Sequence, residues 1–337
     1  MNSRFASIDI GSHTLRMIIA RVQEDRKVFP IAMARRITRL SRGFFEAEIL
    51  KEESIRESIA VLQEFASLLH RHNVKSVRSR ATGVVRRARN AVDFLQKIRD
   101  ATGIDTQVLS EQEEALLSAK GMLSGLQKEE RFVLAFDVGG SSTELILVDT
   151  RSSQPLLSTS IFIGAATITE RCLPGDPPQK EDVSHAAGSI QDALRQVLSE
   201  LKQLSKDLEV PLDVLQLVGT AGTMTTLAAM LLEMDAYDPS RVNGLIMMQG
   251  WLSRLIDDLA AMPVARRRKI PGLENGRESI ILGGALIVRE LLRGLERKQV
   301  TVVDSGLLEG LLLDLIESEY GWPSSLSSPL TLSLQEG

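Results

Sequence analysis

The sequence predicts an α/β protein of two similar domains, each a mixed sheet flanked by helices, facing each other across a cleft. The first observation behind this prediction is an internal repeat. Residues 4–22 and 132–149 both read as an apolar strand ending in Asp-x-Gly, a turn of small polar residues and a second apolar strand. The second observation is that strands are followed by long amphipathic helices through most of the chain. Two unrelated hairpins of similar composition are the alternative explanation of the repeat.

The elements are predicted from hydrophobic periodicity and from turn and capping residues. Strands are expected near 4–10, 14–22, 27–39, 76–82, 105–109, 131–137, 143–149, 155–163, 213–218 and 299–303. Helices are expected near 52–72, 84–100, 111–125, 164–171, 180–206, 222–234, 249–260, 277–294 and 306–319. We expect a first domain over residues 1–124, onto which a helix at 306–320 packs back, a second domain over 125–305, and a flexible tail over 321–337.

The composition is that of an ordinary folded protein. The chain has 337 residues, of which 43% are hydrophobic and 25% charged, which argues against intrinsic disorder. Its net charge of −4 argues against a surface that binds nucleic acid or acidic lipid as a whole. No apolar run reaches the ~18 residues of a membrane helix. The single cysteine, Cys172, excludes an internal disulfide. We therefore expect a cytoplasmic protein with no nucleic-acid or membrane partner.

Two turns in the repeated halves are candidate phosphate-binding loops. Glycine lets a backbone approach an anion closely, successive N–H groups can point at it, and hydroxyl groups add donors. The candidate residues are Gly11, Ser12, His13 and Thr14 with the nearby Arg16, and Gly139, Gly140, Ser141, Ser142 and Thr143. Ordinary hairpin turns use similar residues. Two such turns, each preceded by an aspartate and each opening a repeated half, favour phosphate binding.

Several segments carry a resemblance to a known family. SIDIGSHTLRM, ATGVVRRARNAVDF, LSEQEEALLSAKGM, FDVGGSSTELILV, GTAGTMTTLA and VVDSGLLEG resemble motifs of the exopolyphosphatase and guanosine pentaphosphate phosphohydrolase family, in its short two-domain form. The resemblance covers about residues 4–318. It implies ribonuclease H-like domains of the actin, heat-shock ATPase and acetate and sugar kinase superfamily. It also implies Mg²⁺-dependent release of the terminal phosphate from polyphosphate or guanosine pentaphosphate, ligands that include guanosine tetraphosphate, and a possible homodimer.

The candidate catalytic residue is Glu114. Ser110 and Glu113 predict a capping box at the start of a helix, which gives Glu113 a structural role. Glu114 lies about 100° further around that helix and is not needed for capping. From sequence alone, a solvated glutamate favoured by the helix dipole would be the better interpretation. The resemblance implies instead that Glu114, the second glutamate of the Glu-Glu-Ala motif, is the general base that activates water.

Asp137 and Glu144 are the candidate metal ligands. They flank the second glycine loop, and a pair of carboxylates completed by water and phosphate oxygens suits Mg²⁺ better than a softer metal. The resemblance implies the same role for both residues. Asp9 occupies the place of Asp137 in the first half and is a third candidate, for metal or for water.

Other residues are candidates for binding a polyanion. Arginines cluster at 35–42 and at 78–89, and Arg86 matches the arginine of the family's Thr-x-x-Arg segment; a solvated basic surface is the alternative. Gly222 and Thr223 open a helix directly after a strand, which fits an anion or nucleotide contact as well as a simple tight turn. For Gly283 and Gly284 the preferred interpretation is close helix packing.

Some positions depart from the family pattern. They are His13, Ser141, Gly83, the segment 39–43, and Leu308, where the family's Gly-Leu-Arg-Glu-Gly motif has arginine. These departures bear on substrate identity and rate more than on the type of reaction, since Glu114, Asp137 and Glu144 are all present. Two other functions stay open. One is an ATP-binding kinase or ATPase of the same superfamily, and the other is a catalytically weak sensor of nucleotide or phosphate.

Overall fold

The computed structural model describes residues 3–23, 27–44, 47–126, 130–151, 154–321 and 325–326. The chain divides into two compact units. Unit 1 comprises residues 1–126 and 305–337, and unit 2 comprises residues 127–304. Most of the expected tail at 321–337 lies outside the described residues, but Ser325–Leu326 form a short strand.

Unit 1 contains one six-stranded mixed sheet. Its strands are β1 (Arg4–Ile10), β2 (Thr14–Val22), β3 (Lys27–Ile37), β4 (Ser76–Ala81), β5 (Thr106–Val108) and β12 (Ser325–Leu326). Their order is β12-β3-β2-β1-β4-β5. β1 pairs antiparallel with β2 and parallel with β4, so the strand that ends at Asp9 and Ile10 lies inside the sheet.

Unit 2 repeats this arrangement. Its strands are β6 (Phe132–Val138), β7 (Thr143–Asp149), β8 (Gln154–Ile161), β9 (Gln216–Thr220), β10 (Ile246–Met248) and β11 (Gln299–Val302), in the order β10-β11-β9-β6-β7-β8. The spatial strand order β8-β7-β6-β9-β11 in this sheet corresponds to β3-β2-β1-β4-β5 in the first sheet. The parallel and antiparallel pairings are also the same. The two repeated sequence segments therefore form equivalent hairpins of two similar α/β units, which confirms the predicted fold class.

The helices cover these sheets. In unit 1 they are α1 (Glu52–Arg71), α2 (Val84–Arg87), α3 (Ala91–Thr102), α4 (Glu111–Gly125) and α12 (Leu307–Tyr320). In unit 2 they are α5 (Ala165–Cys172), α6 (Lys180–Asp207), α7 (Ala221–Leu231), α8 (Pro239–Val242), α9 (Gln249–Ala260), α10 (Val264–Arg267) and α11 (Ile281–Gly294). Within the described residues, no helix combines the length and the apolar character needed to cross a membrane.

Helix α12 supplies the core on one face of the first sheet. Leu308, Leu312 and Ile316 pack in one buried cluster with Phe5 and Ile18. Leu308 is therefore a core residue, and its backbone carbonyl accepts a hydrogen bond from Ser7 Oγ at 2.7 Å. At this position, where the family's motif has arginine, the side chain thus lies in an apolar cluster.

Two predicted helices were wrong at their ends for identifiable reasons. The helix expected at 84–100 is interrupted, because Asn90 exchanges two hydrogen bonds of 3.0 Å with the backbone of Leu50. The backbone N–H of Arg89 also donates to the carbonyl of Glu48 at 3.0 Å, and this tertiary bond takes the place of its helical one. The helix expected from 277 begins at Ile281, and a turn precedes it, in which the N–H of Ile280 donates to the carbonyl of Arg277 at 2.9 Å. The short β10, α8 and α10 were not predicted.

Candidate functional site

The two glycine turns have the same hairpin geometry. We call residues 9–16 hairpin 1 and residues 137–144 hairpin 2. In hairpin 1 the N–H of Gly11 donates to the carbonyl of Thr14 at 3.2 Å, and in hairpin 2 the N–H of Gly139 donates to the carbonyl of Ser142 at 3.0 Å. The cross-strand register is also the same, since Asp9 lies opposite Arg16 and Asp137 lies opposite Glu144.

Each hairpin tip is held from behind by the segment that follows its third strand. In hairpin 1 the backbone N–H groups of Thr38 and Arg39 donate to the carbonyl of His13, both at 3.1 Å. In hairpin 2 the N–H groups of Ala165 and Ala166, at the start of α5, donate to the carbonyls of Gly139 and Gly140 at 2.9 and 2.8 Å. The carbonyl oxygens of the tips are thus bound by the protein itself, which keeps these acceptors away from an anion.

Two backbone N–H groups of hairpin 2, unlike the carbonyl groups of its tip, are not bound by other backbone groups of the described residues. Within the described part of the chain, the N–H groups of Gly140 and Ser142 donate to no backbone carbonyl. Buried or half-buried backbone donors need a partner. Two such donors in a glycine turn are the feature that suits a phosphoryl oxygen.

The hydroxyl groups of the loops differ in the bonds they make. Ser12 Oγ accepts a hydrogen bond of 3.1 Å from the N–H of Val84, which fixes this hydroxyl at the tip of hairpin 1. Thr143 Oγ1 donates to the carbonyl of Ile163 at 2.6 Å and is fully buried. This hydroxyl therefore fastens β7 to the segment after β8, and phosphate binding at Thr143 stays a prediction. Ser12, His13, Thr14, Ser141 and Ser142 are buried residues of the two tips, and their phosphate contacts stay predictions.

Asp137 and Glu144 form a cross-strand pair of carboxylates. They lie on the sheet face opposite the main core of unit 2, which takes Phe136 and Leu145 from the same strands. Glu144 is buried, and its Oε1 accepts a hydrogen bond of 2.9 Å from Ser160 Oγ. Like charges directly opposite each other destabilise a sheet unless something compensates them. Two hard oxygen ligands in this place fit Mg²⁺, which binds through one or two carboxylates together with water and substrate phosphates.

The described residues contain no group of three or more His, Cys, Asp or Glu side chains suited to a metal. A structural metal cage of protein ligands alone is therefore absent from this part of the chain. The pair of Asp137 and Glu144 agrees with a catalytic ion that keeps several non-protein ligands.

Glu114 lies at the start of α4, where the predicted capping box is present. The N–H of Glu113 donates to Ser110 Oγ at 3.2 Å, and the N–H of Ser110 donates to Glu113 Oε2 at 2.9 Å. Ser110 Oγ also donates to Glu113 Oε2 at 2.7 Å, and this bond, followed by that of the Ser110 N–H, lowers the pKa of Glu113. Glu114 is only 8% exposed and does not take part in the cap. It is therefore not the solvated first-turn glutamate that sequence alone favoured.

Arg86 is the partner of Glu114. Arg86 Nη1 lies 2.5 Å from Glu114 Oε2 and also donates to the carbonyl of Leu109 at 3.2 Å. Arg86 Nη2 lies 3.7 Å from Glu111 Oε1. The predicted catalytic residue and a predicted substrate-binding residue are thus brought together within unit 1. The guanidinium compensates the buried carboxylate and fixes its position.

A third buried carboxylate, Glu309, was missed by the sequence reasoning. It is 4% exposed at the start of α12, and its Oε2 accepts a hydrogen bond of 2.6 Å from the N–H of Gly306. Burial raises its pKa, and the charges of Arg16 and Asp9 act on it from the adjacent hairpin 1. The available signal was a glutamate between leucines 307–308 and 311–313, because charged residues are rarely buried without a partner.

Other residues considered for polyanion binding make ion pairs or helix-packing contacts within the protein. Several clustered arginines pair with carboxylates, among them Arg36 with Glu64, Arg78 with Asp314 and Arg87 with Glu48. Thr223 is buried, and a Cβ at Gly284 would lie 2.6 Å from it, so these helices pack closely. This agrees with the packing interpretation of Gly284, while the phosphate role of Gly222 and Thr223 stays a prediction.

Fold and hairpins together define the class of protein: a duplicated α/β protein whose glycine turns suit phosphoryl groups. Comparison with known proteins gives the family. Residues 18–319 match the model of the Ppx/GppA phosphatase family. Exopolyphosphatase 2 of Mycobacterium tuberculosis is 31% identical over 326 residues, covering 93% of this chain and 98% of that protein.

Solved structures of similar proteins agree with this family match. A Ppx/GppA family member from Aquifex aeolicus is 31% identical with a TM-score of 0.76, covering 95% of this chain and 99% of that one. An exopolyphosphatase from Cytophaga hutchinsonii has the same fold, with a TM-score of 0.82 at 23% identity, covering 94% of this chain and 98% of that one. The chain belongs to the Ppx/GppA phosphatase family and is a phosphohydrolase.

Proposed function

We propose that this protein is a Mg²⁺-dependent phosphohydrolase that removes the terminal phosphate of a linear phosphate chain. Inorganic polyphosphate is the first substrate, as in the name of the Mycobacterium tuberculosis relative, and the 5′-γ-phosphate of guanosine pentaphosphate is the second. The observation that carries the proposal is the cross-strand pair of Asp137 and Glu144 beside backbone donors at Gly140 and Ser142. Such a pair of anions next to anion-binding groups is suited to a cation and a phosphate together.

The chemistry follows from these residues. Glu114 accepts a proton from a water molecule, and the oxygen of that water forms a bond to the terminal phosphorus. The bond between that phosphorus and the bridging oxygen breaks, and the shortened chain leaves with the electron pair. Arg86 keeps the Glu114 carboxylate in place, and the N–H groups of Gly140 and Ser142 bind phosphoryl oxygens. Mg²⁺ held by Asp137 and Glu144 would supply positive charge for the phosphoryl oxygens.

Phosphate release tests this proposal against the alternatives. The purified protein is incubated with Mg²⁺ and, separately, with polyphosphate, guanosine pentaphosphate or ATP, and orthophosphate is measured. We expect release from polyphosphate, from guanosine pentaphosphate or from both. Release from ATP alone would support a kinase or ATPase, and tight binding without turnover under any divalent metal would support a sensor. Either result would contradict the proposal. A cytoplasmic location and a homodimer belong to the same proposal.

A further inference from the structure

The two hairpins have equivalent backbones but differ in the residue that lies opposite their shared aspartate position. Asp9 and Asp137 occupy the same position, and the residue seven positions later lies opposite each of them in the same register. In hairpin 2 that residue is Glu144, but in hairpin 1 it is Arg16. A site that pairs two carboxylates has thus become, in the other half, a site that pairs a carboxylate with a guanidinium.

The geometry of the hairpin 1 pair is tight and directional. Arg16 Nε and Nη2 lie 3.0 and 2.6 Å from the same oxygen, Asp9 Oδ2. Asp9 is 4% exposed, whereas the Arg16 side chain is 25% exposed. The carboxylate is therefore the inner partner and the guanidinium the outer one. Charge-assisted bonds from two nitrogens fix both the position and the plane of the guanidinium.

The other oxygen of Asp9 needs an explanation. Asp9 Oδ1 is buried and has no hydrogen-bond partner among the described residues. A divalent cation at Oδ1 would share one carboxylate with the guanidinium, so that two positive groups would repel each other at short range. A buried water molecule can satisfy such an acceptor without adding a second positive charge.

We propose that hairpin 1 carries its own fixed cation, in which Asp9 is a positioning residue for Arg16 and is not a ligand of the divalent metal. Of the two hairpins, hairpin 2 then holds the divalent cation, at Asp137 and Glu144. The outer N–H groups of Arg16 bind oxygens of the phosphate chain, so the inference rests on the proposed function. It replaces the expectation that Asp9 binds metal. The two hairpins have therefore diverged: hairpin 2 binds the metal beside its phosphate-binding N–H groups, and hairpin 1 binds the phosphate chain through an arginine.

Direct binding measurements separate the two roles of Asp9. Mn²⁺ binding is followed by electron paramagnetic resonance, and tripolyphosphate binding without metal is followed by calorimetry. We expect one Mn²⁺ per chain with an affinity unchanged in Asp9→Asn and in Arg16→Gln, but reduced at least about tenfold in Asp137→Asn. We expect tripolyphosphate to bind about tenfold to a hundredfold more weakly in Arg16→Gln and in Asp9→Asn, with little further loss in the double variant. A loss of Mn²⁺ affinity in Asp9→Asn comparable to that in Asp137→Asn would overturn the inference.

Two further variants keep the test decisive. Arg16→Lys keeps the positive charge but loses the planar set of N–H donors of the guanidinium. We therefore expect it to recover only part of the tripolyphosphate affinity and to raise KM more than it lowers kcat. Arg16→Glu recreates in hairpin 1 the carboxylate pair of hairpin 2, and we expect it to bind a second Mn²⁺. An unchanged stoichiometry in Arg16→Glu would contradict the inference. Full Mn²⁺ affinity in Asp137→Asn would contradict the proposed metal site of hairpin 2 instead, so the two failures are distinguishable.

Discussion

Arg86 Nη1 lies 2.5 Å from Glu114 Oε2, and the two side chains are only 18% and 11% exposed. The arginine comes from the short helix α2 and the glutamate from the first turn of α4, so this ion pair joins two helices of unit 1. A buried carboxylate held by one guanidinium has a defined direction, which is what a group that accepts a proton from water requires.

The first prediction concerns Glu114. Replacement by glutamine keeps the size of the side chain and removes the proton acceptor, so we expect turnover to fall about 10²- to 10⁴-fold. We expect Glu114→Gln to fold and to bind polyphosphate as the unchanged protein does. Phosphate release under saturating substrate measures the effect, and turnover close to that of the unchanged protein would reject Glu114 as the base.

The neighbouring residue provides the matched control. Glu113 belongs to the capping box with Ser110, and glutamine fulfils the same capping role. We therefore expect Glu113→Gln to keep its turnover within a small factor. If both variants lost turnover equally, the loss would reflect the helix start and not the chemistry of Glu114.

The second prediction concerns the ion pair itself. Arg86→Gln leaves the carboxylate of Glu114 buried without its cation, which we expect to lower the free energy of unfolding by about 1–3 kcal/mol. Urea unfolding of the single variants and of the double variant Arg86→Gln with Glu114→Gln measures the coupling. We expect the double variant to be less destabilised than the sum of the two, and strict additivity would show that the pair contributes nothing.

The third prediction concerns the contact between α4 and α12. A Cβ at Gly121 would lie 1.8 Å from the carbonyl oxygen of Gly306, so the two backbones touch. Because backbone must move to admit a methyl group, we expect Gly121→Ala to destabilise unit 1 by at least about 1–3 kcal/mol. Gly188, inside α6, has open space where a Cβ would lie. There we expect Gly188→Ala to stabilise the protein by about 0.5–1 kcal/mol, and similar thermal midpoints of the two variants would contradict this account.

The fourth prediction concerns pH. Burial raises the pKa of Glu309, while Arg16 and the N–H of Gly306 favour its charged form and Asp9 opposes it. The folded protein thus holds this proton more tightly than the unfolded chain, in which the pKa of a glutamate is about 4.3. Its contribution to stability is complete below that pH and is lost as pH rises through the folded pKa. We expect Glu309→Gln to reduce this loss, which urea unfolding from mildly acidic to alkaline pH would measure. An identical pH dependence in both proteins would refute it.

Local sequence signals predicted much of the fold and of the site. The hairpins around Gly11 and Gly139 and the capping box of Ser110 depend on neighbouring residues, and their patterns are visible in short segments. The equivalence of the two sheets followed from the repeat of those segments. Such features are encoded by turn chemistry and by the alternation of apolar residues, which sequence reveals directly.

Features that depend on distant contacts were not predicted. The break between α2 and α3 depends on Asn90 bonding to Leu50, which periodicity does not reveal. Glu309 meets the charges of hairpin 1 only because α12 folds back onto β1 and β2. The pairing of Arg86 with Glu114 has the same origin, since it joins side chains of two helices with no shared pattern. Tertiary packing decides these contacts, and no single segment carries the information.

The measurement that tests the central claim most directly is hydrolysis of polyphosphate in ¹⁸O-labelled water with Mg²⁺. If water activated by Glu114 attacks the terminal phosphorus, each released orthophosphate carries one ¹⁸O atom and the new end of the chain carries none. We expect this labelling in the unchanged protein and in Glu113→Gln, at a rate strongly reduced in Glu114→Gln. Label on the shortened chain, or unlabelled orthophosphate, would contradict attack by water at the terminal phosphate.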